Sequence, residues 1–296
     1  MKRSVFISQI ATLGSLTLTG LPQLSFTTKP KYKMGLQLFT VRDAMAKDPV
    51  DTLKKVKAMG YQDFETYGFN PKTKEIYGFK VSDFKKILDD LDLTTTSGHF
   101  GFSDYFDASE DELKWFVDQS IDASKKLNAP YITWPWVHPD HRNPESFKVL
   151  ADKLNRIGEQ VKAADLEFAY HNHGYEFENW EGTTGHEILM KTTDEDLVKL
   201  QMDMYWVVHS GKTPKELVDQ HPGRYTMWHI KDMDKITRDY SELGNGSIDY
   251  IKILPDSKKS GLKYYYIEQG GNFAINSIES VAASALFFKK NLQHLI

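Results

Sequence analysis

"MGLQLFTV", residues 34–41, leads after a short polar gap into "DPVDTLKKVKAMG", residues 48–60, and how this pair is read decides the fold. The first run is short and apolar, as a buried strand is. The second carries apolar residues at helical spacing and stops at Gly60. A strand feeding a helix opens either a doubly wound open sheet that binds dinucleotides or a barrel. The open sheet needs a G-x-G-x-x-G turn after its first strand, so that the backbone can approach a pyrophosphate. "GLQLFTV" contains no such turn.

The same pair recurs along the chain. Strand-like "DFETYG" (63–68) precedes helical "VSDFKKILDDL", for which Ser82 offers a cap. "TTTSGHF" (94–100) precedes "SEDELKWFVDQSIDASKKL", capped by Ser109. "YITWPW" (131–136) precedes a helix with Pro144 near its first turn. "LEFAYHNH" (166–173) precedes a weaker helix near 184–191, and "VKLQMDM" (198–204) a short helix from Thr213. "YTMWHIKD" (225–232) precedes a short helix near 248–254, and "KYYYIEQ" (263–269) the closing helix from Ser277. Alternating βα units predict a parallel sheet. Eight of them in about 260 residues predict a (β/α)8 TIM barrel. We expect one barrel domain over residues 31–296.

Composition narrows the partners. The chain has 296 residues, 40% hydrophobic and 26% charged, with a net charge of -4. Nucleic-acid binding normally shows as a basic surplus, so no nucleic-acid partner is expected. There is no cysteine, which excludes disulfides and thiolate metal sites. Any metal must be held by His, Asp and Glu. The first 30 residues read as a leader. Lys2 and Arg3 precede a short, hydroxyl-rich apolar run, and no acidic residue occurs before Asp43. The expectation is an exported, periplasmic protein without a membrane anchor, or a cytoplasmic one if the leader is kept. Oligomeric state stays open, a homo-oligomer included.

A barrel gathers its chemistry at the C-terminal ends of its strands. Those ends carry Glu65, His99, His171 with His173 and nearby Glu176, Asp203, His229 with Lys231, and Glu268. Asp203 in "LQMDMYW", His229 in "MWHIKD" and Glu268 in "YYYIEQG" sit among apolar and aromatic neighbours. A buried charge there needs a partner or a metal. Carboxylate and imidazole suit Mn²⁺ first, with Zn²⁺, Co²⁺ or Mg²⁺ as alternatives. Strand alternation points His171 and His173 to one side, so one can complete a metal shell while the other meets substrate. Trp134, Trp136, Tyr205 and Trp206 could offer a flat apolar surface to a sugar ring.

Taken together, "GLQLFTVRD", "YHNHGYEF", "DMYWVVHSG", "WHIKDM" and "YIEQ" resemble the exported sugar isomerase/epimerase-like branch of the xylose isomerase-like barrel superfamily. The resemblance implies a divalent metal held by Glu, Asp, His and Glu from strands five to eight. Asp203, His229 and Glu268 match the last three, and His171 stands where the first glutamate belongs. Epimerases of the superfamily use two glutamates as a proton shuttle, and Glu176 is a register-shifted counterpart of the first. Its endonucleases carry D-x-x-H in strand six, a pattern broken here by Trp206. The implied activity is isomerisation or epimerisation of a sugar or keto-sugar by proton abstraction beside a carbonyl. The alternatives are a lyase or dehydratase on keto sugars or 3-keto-glycosides, and a sugar-binding barrel without catalysis. The candidate proton-transfer residues are His173, Glu176, Lys231 and His99. Glu65, Trp134 and Trp206 are candidates for substrate contact.

Overall fold

The computed structural model describes residues 30–296. The leader expected over residues 1–30 lies, but for Pro30, outside them. Among the described residues no helix is long and apolar enough to cross a membrane.

Eight parallel strands close into a barrel. They are β1 (Gly35–Gln37), β2 (Asp63–Thr66), β3 (Thr94–His99), β4 (Tyr131–Trp134), β5 (Glu167–His171), β6 (Lys199–Asp203), β7 (Met227–Ile230) and β8 (Tyr264–Ile267). β1 pairs with both β2 and β8, which closes the ring. The helices α1 (Pro49–Ala58), α2 (Val81–Asp90), α3 (Glu110–Leu127), α4 (Pro144–Lys162) and α5 (Gly185–Thr192) follow the first five strands. α6 (Met204–His209) and α7 (Pro214–Gln220) follow β6, and α8 (Ser277–Asn291) closes the chain.

Several local expectations hold and several shift. Ser109 and Glu112 form a reciprocal capping box at the start of α3. Pro144 opens α4, where its missing N–H would have no partner anyway. Ser82 does not cap α2, which begins at Val81 behind Lys80 with no side-chain cap. β1 ends at Gln37, because its side chain accepts from the Phe39 N–H and starts a 3-10 turn. α6 was not expected. It begins where Asp203 turns from strand to cap and accepts from the Trp206 N–H at 3.2 Å.

The alternation of strand side chains sorts the interior into two regions. Outward positions such as Ile132, Trp134, Phe168, Tyr170, Met202, Trp228 and Ile267 join the large core under the helices. Tyr131, Ala169, Met227 and Tyr266 form a separate small cluster that plugs the barrel lumen. Two residues further along those strands come Thr133, His171, His229 and Glu268. Above this layer the lumen is lined by ionisable side chains, and below it the buried Asp63 accepts from the Thr94 hydroxyl at 2.7 Å. This parity corrects the expectation for Trp134. Its ring is fully buried, stacks on Phe102 at 5.3 Å, and donates its indole N–H to the Trp136 carbonyl. We predict that Trp134→Ala lowers stability by about 3–5 kcal/mol, the usual effect of emptying an aromatic core position. Urea denaturation checks this, and an unchanged midpoint would return Trp134 to the substrate side.

Candidate active site

A cavity of about 930 Å³ opens at the C-terminal mouth of the barrel. His99, His171, His173, Lys231 and Glu268 line it, together with Tyr240, Trp136, Phe69 and Phe100. Beneath its polar floor lies a network of buried side chains.

Glu65 is the anchor of that network and has no exposure. One carboxylate oxygen accepts from Gln37 at 2.7 Å and His229 Nε2 at 2.6 Å, with His99 Nε2 at 3.0 Å. The other accepts from Gln201 Nε2 at 2.6 Å. Burial pushes this carboxyl up, but His99 and His229 outweigh it and hold Glu65 well below the usual range. All its acceptor capacity is spent inside the protein, so Glu65 does not reach substrate as expected. It orients histidines.

His229 lies between two carboxylates. Its Nε2 meets Glu65 and its Nδ1 meets Glu268 Oε2 at 2.6 Å. Burial alone would lower its pKa, yet Glu65 and Glu268 lift it to about 9. The Lys231 ammonium sits 2.6 Å from Asp203 Oδ2 and 2.7 Å from Glu268 Oε2. Those two anions more than offset its burial and keep it charged. The same ammonium, with His229, holds Glu268 ionised despite burial. Burial pushes Asp203 up, and Lys231 pulls it back. Asp203 Oδ2 is buried and in ion-pair contact with Lys231, but it receives no aligned hydrogen bond.

His171 completes the group. Gln201 Oε1 accepts from its Nδ1 at 2.9 Å, which turns Nε2 toward Asp203 Oδ2 at 3.6 Å. Burial, then the neighbouring His229, depresses its pKa and keeps the ring neutral. Gln201 also meets His99 Nε2 at 2.8 Å. Gln37 and Gln201 carry no charge that would mark them in the sequence. Position 201, two before Asp203 on the same strand face, was the available signal.

The donor set fits a divalent cation. Asp203, His229 and Glu268 each offer one atom within 4.8 Å of the others, as do His99, His171 and His229. His229 and His171 each have one ring nitrogen held by an outer acceptor, Glu65 or Gln201, and the other turned inward. That is the usual support of a metal-ligating imidazole. Loading an ion requires the His229 Nδ1 proton and the Lys231 ammonium to leave the carboxylates.

β5 ends at His171, so strand alternation does not place His173. The loop does. Glu176 accepts the His173 N–H at 2.9 Å with one oxygen and the Tyr170 hydroxyl at 2.6 Å with the other. The His173 ring then stands 5.0 Å from that of His171. Its Nδ1 is buried without a hydrogen-bond partner, and burial followed by Lys231 depresses its pKa. Glu176 itself is fully buried and does not line the cavity. Its expected part in proton transfer gives way to a part in pinning the loop. Trp206 lines a neighbouring cavity, and the Tyr205 hydroxyl is spent on the Arg238 carbonyl.

Burial raises the Glu176 carboxyl from 4.5 to about 7, against the pull of Tyr170 and the backbone. A folded-state pKa above the unfolded value means stability present at low pH that is lost as pH rises through about 7. We predict that Glu176→Gln flattens the stability–pH curve between 4.5 and 7, checked by chemical denaturation at each pH. An unaltered slope would contradict the assignment.

A family model for the xylose isomerase-like TIM barrel matches residues 53–284. An inosose dehydratase of Clostridium botulinum is 29% identical over 175 residues, 51% of this chain. The chain spans 56% of that relative's length. A sugar phosphate isomerase/epimerase of Parabacteroides distasonis superposes with a TM-score of 0.77 at 25% identity, over 90% of this chain and 96% of that one. The IOLI protein, solved with a bound zinc atom, superposes with a TM-score of 0.66 at 16% identity, over 86% and 96%.

Proposed function

The chain belongs to the xylose isomerase-like TIM barrel family, and on that premise we propose that it removes the proton beside the carbonyl of a keto sugar and then expels a leaving group from the β carbon. The reading is that of a metal-dependent lyase or dehydratase. The observation that carries it is the asymmetry of the cavity wall. One base, His173, lines the cavity with its Nδ1 free of any hydrogen bond, while the carboxylate expected opposite Glu268 is turned away as Glu176. Epimerisation by a carboxylate pair needs a base on each face of the carbon. Elimination needs one base that can return its proton to the departing oxygen.

His171, Asp203, His229 and Glu268 would hold the ion, with Mn²⁺ the first choice. The zinc in the IOLI structure shows that a barrel of this fold can hold a divalent metal. A bound ion would stabilise negative charge on the carbonyl oxygen. The protein does the rest. His173, kept neutral by burial, accepts the α-proton on its imidazole. Its backbone is fixed by Glu176, so the ring needs little reorganisation. Lys231 and His99 line the same cavity and can donate to substrate oxygens. Phe69, Phe100 and Tyr240 give the same cavity an aromatic wall.

Isomerisation remains the second reading, favoured by the similarity to the Parabacteroides distasonis protein. It shares the first step. We predict that His173→Ala retains its metal but loses about 10²–10⁴ in turnover, together with solvent-deuterium exchange at the α carbon. His171→Ala should instead lose metal affinity. Exchange that persists in His173→Ala would overturn the assignment of the base. An unsaturated ketone among the products identifies elimination, and a rearranged sugar alone identifies isomerisation.

A further inference from the structure

A second cavity, of about 560 Å³, lies beside the first on the β4–β6 side of the barrel mouth. The two share Trp136 and His173, so they meet above the proposed base. Arg142, Tyr175, Trp206 and His209 are among its other walls. None of these four takes part in the chemistry described above.

We propose that this cavity is a subsite for a second sugar ring, so that the substrate is a glycoside whose second ring is the group expelled. The inference rests on the reading of the first cavity as an α-proton abstraction site. Its own support is local. Trp206 Nε1 is buried without a hydrogen-bond partner, as is His173 Nδ1, and the two rings stand 5.7 Å apart. An unpaired buried donor is costly, and the Trp206 ring that carries this one is a wall of the cavity. The Arg142 guanidinium lies over the Tyr175 ring at 3.8 Å and near Trp136 at 5.3 Å, with its Nε spent on the Val137 carbonyl. Gly174 lies directly under Trp206, where an added Cβ would come within 3.0 Å of the indole, so the absence of a side chain leaves that ring its place. Aromatic faces beside hydrogen-bonding groups suit a pyranose, which has one apolar face and a rim of hydroxyls. A phosphate suits the cavity less well, since Glu178 is among its walls and the guanidinium is already stacked.

The placement gives the elimination a direction. His173 takes the Cα proton, and the electron pair of that bond is held as the enolate. As the carbonyl re-forms, a double bond joins Cα to Cβ, and the Cβ–O bond breaks with its pair on the oxygen of the second ring. His173 returns the proton to that oxygen. Nothing is oxidised or reduced, and the products are an unsaturated keto sugar and a free sugar.

The test compares kcat/KM of the metal-loaded protein for a 3-keto-cellobioside and for methyl 3-keto-glucoside. We expect the two-ring substrate to be favoured by at least about tenfold, equivalent to 1.4 kcal/mol. The preference should collapse toward unity in both Trp206→Ala and Arg142→Ala. Equal values in the unaltered protein, or a preference that survives both substitutions, would overturn the subsite. So would competitive inhibition by inorganic phosphate that Arg142→Ala abolishes, which would assign the cavity to a phosphoryl group. Absence of both turnover and deuterium exchange would fault the α-proton reading instead. Tryptophan fluorescence with cellobiose then decides the subsite by itself. A response lost in Trp206→Ala supports it, and no response in the unaltered protein overturns it.

Discussion

Glu65, Asp203 and Glu268 are carried into the barrel mouth with almost no exposure, and each buried carboxylate left unpaired would cost several kcal/mol. The molecule meets this constraint with two cations of its own. His229 bridges Glu65 and Glu268, and Lys231 bridges Asp203 and Glu268. Around this chain of alternating charge, Gln37 and Gln201 fill the remaining acceptor positions of Glu65. The arrangement is rigid because every member is shared. Moving His229 would free two carboxylates, and moving Gln201 would release His99 and His171 together.

The same network explains why the site suits a divalent cation. A protein that already holds an ammonium between two carboxylates has the negative potential a metal needs. It has also fixed the tautomers of its histidines from behind. Lys231 and a divalent ion would call on the same two oxygens, Asp203 Oδ2 and Glu268 Oε2, and the lysine also lines the cavity.

Much of this was legible in the sequence. Eight βα pairs without a phosphate-binding turn gave the barrel, and ionisable residues in apolar strands gave Asp203, His229 and Glu268. What escaped did so for physical reasons. Trp134 was drawn into the site by its place at a strand end, although it shares the outward parity of Ile132. Glu176 carries the right charge, but a 3-10 turn after β5 folds it back under the loop. Spacing along a chain does not report such a reversal. Gln201 has no charge to draw attention, yet it stands on the inward face with Asp203. His173 stands near His171 through a loop hydrogen bond rather than through strand alternation. Face parity along the strands separates the two, placing Trp134 outward with Ile132 and Gln201 inward with Asp203.

We propose that His171, Asp203, His229 and Glu268 form one cation site that shares two carboxylate oxygens with the Lys231 ammonium. Calorimetric titration of Mn²⁺ into the unaltered protein, Lys231→Met and Asp203→Asn tests it most directly. The account predicts about one ion per chain, bound more tightly by Lys231→Met and lost in Asp203→Asn. Equal affinity in all three proteins, or no binding even when the ammonium has been removed, would contradict it.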